Sequence, residues 1–225
     1  MERIIIAIDG PAASGKSTTA KLLAKKLDYT YLDTGAMYRA CALQAMRQGI
    51  ALEDRAAISA MMDTLEIKIE QGTEGNLIYL SGEDISAAIR TPEVSNMASA
   101  ISAIPEVRIK MVELQRRLGE AGGVILDGRD IGTVVFPNAQ CKFFLVADIK
   151  ARAMRRFLEL QAKGMEVSLE QITMDLEARD KADSSRAMAP LKPAPDAIIV
   201  DTGKLSIKGQ VNKLWKIIRA KLEEL

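Results

Sequence analysis

The chain has 225 residues, 48% of them hydrophobic and 27% charged, with a net charge of +1. That length fits one large domain carrying insertions, and the near-zero charge argues against a nucleic-acid or anionic-membrane partner held by bulk electrostatics. There is no histidine, so a Ser-His-Asp hydrolase, a histidine general base and a histidine-built zinc site are all excluded. The two cysteines, Cys41 and Cys141, lie far apart, which favours small buried side chains in a reduced, cytoplasmic setting over a disulfide framework. No apolar run approaches the ~18 residues of a membrane span, and the first run is too short for a signal peptide.

In chain order, the apolar run 3–8 is expected as a buried strand. It leads into Gly10, Pro11, Ala12, Ala13, Ser14, Gly15, Lys16 and Ser17, followed by Thr18. This matches G-x-x-x-x-G-K-[ST], the loop whose backbone N–H groups cradle phosphates at the start of a helix. Lys16 supplies a cation for β- and γ-phosphates and the Ser17 hydroxyl a ligand for Mg²⁺. A strand before and a helix over 17–27 after are the context the motif requires, so a nucleoside triphosphate is the expected ligand. The loop does not name the acceptor, because such loops serve GTPases, motors and kinases alike.

A second strand at 30–32 precedes Asp33 and Thr34 and a helix over 36–48 that stops at Gly49. Thr34 and Arg39 face a ligand if this loop lies at the carboxyl end of the sheet; taken alone, the segment reads better as a capped helix with a solvated arginine. Residues 65–70 alternate apolar and charged, and 77–80 form a second β-rich run. Together they predict an antiparallel hairpin with one solvated face, inserted into the main pattern. Thr91-Pro92-Glu93 is a helix start. The strand 124–126 runs into Asp127, Gly128, Arg129 and Asp130, where a carboxylate can hold Mg²⁺ through a water and an arginine can clamp a phosphate. A strand at 142–146 precedes a basic helix, 150–163, carrying Arg152, Arg155 and Arg156. Ser168 to Gln171 is a capping box. Arg179, Asp183 and Arg186 close the following helix, and on their own read as helix-end charge pairing. A last strand at 197–200 precedes a helix opened by Ser206.

Strands alternating with helices predict an α/β fold: a P-loop-type parallel sheet of about five strands with helices on both faces, plus the inserted antiparallel element. Arg39, Arg129, Arg152, Arg155, Arg156, Arg179 and Arg186 stand out in a chain with almost no net charge. A phosphoryl-transfer transition state needs several such cations.

These motifs resemble the bacterial cytidylate kinases, nearly end to end. The resemblance rests on 8–18 (IDGPAASGKST), 32–39 (LDTGAMYR), 81–86 (SGEDIS), 89–99 (IRTPEVSNMAS), 127–137 (DGRDIGTVVFP) and 179–197. It implies one kinase domain over 1–225, with an enlarged monophosphate-binding region at 35–102 and a lid at 150–166. It implies ATP held by residues 10–18, and cytosine read by Ser99, Arg108 and Asp130 with Thr34 lining the pocket. Arg179 and Asp183 would bind the ribose, and Arg39, Arg129 and Arg186, with Ser14 nearby, the monophosphate. Lys16, Arg129, Arg152, Arg156 and Arg186 would carry catalysis, with Mg²⁺ on Ser17 and, through a water, on Asp127. The implied reaction converts CMP or dCMP and ATP to CDP or dCDP and ADP, in a cytoplasmic monomer. Competing expectations are a kinase for UMP, dTMP, AMP or shikimate, and a regulatory GTPase. The latter requires N-K-x-D, but Asn212-Lys213 is followed by Leu214-Trp215. One tryptophan and 4% aromatics argue against a single-strand nucleic-acid binder.

Overall fold

The computed structural model describes residues 3–72 and 75–224. In chain order the elements are β1 (Ile5–Asp9), α1 (Lys16–Leu27), β2 (Thr30–Asp33), α2 (Thr34–Arg47), α3 (Arg55–Thr64), β3 (Ile67–Gly72), β4 (Gly75–Leu80) and β5 (Glu83–Asp84). They continue with α4 (Pro92–Ile101), α5 (Pro105–Gly119), β6 (Val124–Gly128), β7 (Cys141–Val146), α6 (Ile149–Ala162), α7 (Leu169–Ser185), β8 (Ile198–Asp201) and α8 (Ile207–Glu223).

Five strands form a parallel sheet in the order β2-β6-β1-β7-β8. Period-two alternation sends β1 side chains to opposite faces. Ile4, Ile6 and Ile8 pack against Leu23 of α1 and Leu214 and Ile218 of α8. Ala7 joins Leu126, Ile131 and Val135 on the other face, with Val112 of α5. The sheet is thus covered on both sides, which is why its central strands read as continuous apolar runs.

The inserted antiparallel element is a three-stranded sheet, β3-β4-β5. The sequence predicted its first two strands; the third is the two-residue pairing of Leu80 with Glu83 and Tyr79 with Asp84. The reversal expected between 72 and 76 includes residues 73 and 74, which lie outside the described residues. Side chains of α2 to α5 and this small sheet share a core of their own, including Met37, Ile58, Ile78, Ile89, Ile101 and Met111. A third unit, α6 with α7, packs Leu160, Ile172 and Leu176 around Ala153 and Ala12. Three packed bodies therefore meet over the carboxyl ends of β1, β2 and β6.

Local signals explain most helix starts. Asp33, Asp54, Thr91, Asp148, Ser168 and Ser206 cap α2, α3, α4, α6, α7 and α8 through a side-chain oxygen. Helix α1 has no side-chain cap and begins at Gly15 in the left-handed region, φ 88°. Its first-turn N–H groups remain available to a ligand.

Candidate active site

The loop between β1 and α1 is shaped by Gly10 and Gly15. At Gly10 (φ 149°) an added Cβ would overlap the Leu145 carbonyl; at Gly15 it would lie 2.7 Å from Gln210 Oε1. The chain can therefore curl tightly only with glycine at both positions. Lys16 is buried, and its Nζ donates to Pro11 O at 2.9 Å. Burial first, then the Arg129 guanidinium, pulls the Lys16 amine down to about 7. A phosphate arriving here would meet a lysine whose charged form burial disfavours and an anion would restore.

Asp127, at the end of β6, accepts from Ser17 Oγ at 2.6 Å and from Tyr31 OH at 2.7 Å. Burial, with Asp33 adding to it, raises its carboxyl above the usual range. Hydroxyl and carboxylate oxygens are hard donors suited to Mg²⁺, which keeps waters and phosphate oxygens among its ligands rather than needing a protein cage. The residues present fit Mg²⁺.

Opposite the loop, Asp33 both caps α2 through the Ala36 amide (2.9 Å) and pairs with Arg39 at 3.0 Å. Burial raises the Asp33 carboxyl, but Arg39 and the Ala36 amide outweigh it and hold it below the usual range. Arg39 is therefore anchored rather than solvated. Arg108, 2% exposed, forms an ion pair with Asp130 Oδ2 and donates to Ser102 O at 3.1 Å. Asp183 accepts from Arg129 Nε at 2.7 Å, and Arg186 Nη2 lies 3.2 Å from its other oxygen without hydrogen-bond geometry. Buried guanidinium donors of Arg39, Arg179 and Arg186 have no acceptor. Burial, then Arg129, lowers Arg179 to about 10.

All of this lines a single cavity of about 410 Å³. Its wall carries ten Lys and Arg against five Asp and Glu side chains, in a chain whose net charge is +1. Of the residues singled out in the sequence, Ala12, Ala13, Gly15, Lys16, Ser17, Thr18, Thr34, Arg39, Ser99, Arg108, Asp127, Arg129, Asp130, Arg156, Arg179, Asp183 and Arg186 all reach it. Gly10, Pro11 and Ser14 shape the loop from behind. Arg152 stands apart: it is buried, pairs with Asp180 at 2.6 Å and donates to Ala147 O and Ala12 O. Arg155 donates to Thr202. Arg155 ties α6 to Thr202 and Arg152 braces the phosphate loop through Ala12 O, but neither side chain lines the cavity.

The chain that builds this concave, cationic site matches a known family over nearly its whole length. The cytidylate kinase family model matches residues 6–220. The chain belongs to the cytidylate kinase family. Membership makes it an ATP-dependent kinase. A cytidylate kinase of Carboxydothermus hydrogenoformans is 50% identical over 220 residues, covering 98% of this chain and 99% of the relative. That of Syntrophotalea carbinolica is 49% identical over 216 residues, covering 96% and 92%. Among solved structures, an uncharacterized protein from Eubacterium ventriosum is similar with a TM-score of 0.53 over 96% of this chain and 99% of that one; at 14% identity it speaks for the fold alone.

Sequence reasoning missed several wall residues: Lys21, Tyr38, Arg90, Ser95, Ser102, Glu159 and Lys163. Tyr38 was within reach, since it lies four positions after Thr34 on one face of α2. Its ring stands 5.7 Å from the Arg108 guanidinium carbon. Glu159 and Lys163 follow Arg156 at helical spacing and form ion pairs along α6. Arg90 carries no such signal, because the 3₁₀ turn Ala88–Arg90 that presents it is set by packing of Ile89.

Proposed function

We propose that the protein transfers the γ-phosphoryl group of ATP to CMP and dCMP, giving ADP and CDP or dCDP. The observation that carries this reading is the shared cavity: Lys16 and Ser17 on one wall, and Ser99, Arg108, Asp130 and the arginines on the other. One nucleotide on each side brings a terminal phosphate and an acceptor phosphate to the same cationic centre.

The β1–α1 loop and the uncapped start of α1 hold the triphosphate through backbone N–H groups, and Lys16 neutralises its outer phosphates. Bound Mg²⁺ supplies charge stabilisation for the phosphates, and Ser17 and Asp127 are the residues that would hold it. Arg39, Arg129 and Arg186 hold the acceptor monophosphate; the unpaired buried donors of Arg39 and Arg186 support that role. Arg179 and Asp183 are assigned to the ribose. Asp183 already neutralises part of the Arg129 and Arg186 charge, so its carboxylate also keeps two arginines at workable separation before substrate arrives. Asp130 spends Oδ2 on Arg108, leaving Oδ1 for the exocyclic amine of cytosine. Arg108 donates to the base acceptors. Uracil presents a carbonyl where cytosine presents an amine, and would face a buried carboxylate without a proton between them.

No protein base is needed, because a monophosphate oxygen is already anionic near neutral pH. Catalysis is positioning and charge stabilisation. Arg156 on α6 serves as a lid cation. Arg156 pairs with Glu159 at 2.8 Å, and closure over ATP would exchange that partner for phosphate and exclude water. Cys41 and Cys141 are both buried and unpaired, which supports a reducing, cytoplasmic setting. One chain supplies every wall of the cavity, so a monomer suffices.

The test is an acceptor panel of CMP, dCMP, UMP, dTMP, AMP and shikimate with ATP and Mg²⁺, following ADP release and identifying the product. CMP and dCMP should be turned over with kcat/KM well above the rest. A different acceptor leading the panel would overturn the assignment.

A further inference from the structure

Tyr31 belongs to no motif, yet it is one of the two hydroxyl donors to Asp127. It sits in β2, which pairs in parallel with β6 so that Tyr31 lies opposite Ile125 and Asp33 opposite Asp127. Period-two alternation puts Tyr31 and Asp127 on the same face of the sheet, one step apart along neighbouring strands. The long phenol spans that step, and its OH donates to Asp127 Oδ1 at 2.7 Å. Its ring is 4% exposed, packed in the core beside Ala24 and Ile125. Its backbone carbonyl is gripped by Asn76 Nδ2, at 2.9 Å, from the small sheet. The phenol therefore has little freedom to swing away.

We infer that Tyr31 is a positioning residue for the metal end of the site, holding the Asp127 carboxylate in the rotamer from which it can accept a water of bound Mg²⁺. This rests on the assignment of Asp127 to Mg²⁺ proposed above. An ionised carboxylate offers about four lone-pair positions. Ser17 takes one on Oδ2 and Tyr31 one on Oδ1, which fixes the plane of the group and leaves the remaining positions for water. Ser17 alone leaves the carboxylate free to rotate about its bond to Cβ. Loss of a group bonded to a direct metal ligand typically costs ~10–100-fold in metal affinity; Tyr31 acts one step further out, through Asp127 and a water, so its loss should fall at or below the lower end of that range.

Tyr31→Phe removes one oxygen and keeps the ring. Mn²⁺ is used as the probe, and its affinity for the enzyme–ADP complex is read by electron paramagnetic resonance of the free ion. CMP affinity is measured by calorimetry, and the same set is repeated for Asp127→Asn and for the double variant. Mn²⁺ affinity should fall several-fold, up to ~10-fold, in Tyr31→Phe, CMP affinity should stay within twofold, and adding Tyr31→Phe to Asp127→Asn should cost nothing further. Unchanged Mn²⁺ affinity in Tyr31→Phe, with a clear loss in Asp127→Asn, would overturn the positioning role and leave the Asp127 assignment standing. Unchanged affinity in Asp127→Asn would remove the assignment and the inference together. An equal loss of Mn²⁺ and CMP binding in Tyr31→Phe would mark a general packing defect and also overturn it. Melting curves of each variant secure that folded protein is being compared.

Discussion

Replacing Asp130 by asparagine probes base recognition with almost no change of shape. Asp130 is 5% exposed and forms its ion pair with Arg108, itself 2% exposed. Breaking such a buried pair by removing one charge costs roughly 3–5 kcal/mol. At ~2–4 °C per kcal/mol for a chain of this size, the melting temperature should drop by about 6–20 °C. The asparagine amide has one orientation open to it. Its NH₂ cannot face the Arg108 guanidinium, so the oxygen stays on Arg108 and the NH₂ turns toward the base. There it meets the cytosine amine donor to donor, but the uracil carbonyl donor to acceptor. Losing a hydrogen bond between a charged group and the cytosine amine is worth about 1.5–3 kcal/mol. That corresponds to a ~10–150-fold fall in kcat/KM for CMP. Because UMP gains a partner, the CMP-to-UMP ratio should fall by ~30-fold or more. A coupled assay of ADP release at saturating ATP, with CMP and UMP in parallel, reads this directly. Equal losses for the two substrates would refute the account of base reading, whatever the melting curve shows.

Lys16→Ala should lower kcat by ~10²–10³, the cost of removing one preorganised charge-stabilising donor, with an unchanged circular dichroism spectrum. Unaltered turnover would take the phosphate loop out of the mechanism. Asp9 accepts from the Ile131 and Gly132 amides at 2.9 and 2.8 Å, and burial raises its carboxyl from 3.8 to about 7. The fold therefore favours the protonated form. The stability this group contributes is fully present below pH 3.8 and is lost as pH rises through about 7, an interval worth roughly 4 kcal/mol. Urea unfolding of Asp9→Asn between pH 4 and 8 should show a flatter pH profile than the parent; superimposable slopes would contradict it. Gly10→Ala should abolish ATP binding, because the new methyl would meet the Leu145 backbone, which cannot step aside as a flexible side chain could. Retained ATP affinity by calorimetry would show that the loop tolerates a different curl.

Much of the fold was legible because its signals are local. Apolar runs alternating with helical patterns identified all five strands of the main sheet, and Gly49 (φ 63°) ends α2 just beyond its cap at Gln48. Thr91, Ser168 and Ser206 cap the helices that the sequence predicted they would. Features decided by distant partners were not legible. The π-helical turn Ile131–Val135 is pinned by Asp9, more than a hundred residues earlier. Arg152 looks like a third lid cation on the basic helix, but the crossing of α6 and α7 brings Asp180 against it. A buried ion pair across that crossing outcompetes exposure to the cavity, and no spacing within 150–166 announces it. Tyr31 was invisible for the same reason, since only the pairing of β2 with β6 places its hydroxyl on Asp127.

The central claim is that the phosphate loop and the arginine-lined wall serve one crevice with a nucleotide on each side. A dinucleotide joining adenosine and cytidine through five phosphates spans both halves at once. Calorimetric titration should give one molecule per chain, bound far more tightly than ATP or CMP alone and blocked by prior saturation with either. Tight binding blocked by ATP but indifferent to CMP, or two independent binding events, would show that the two walls do not serve a common reaction centre.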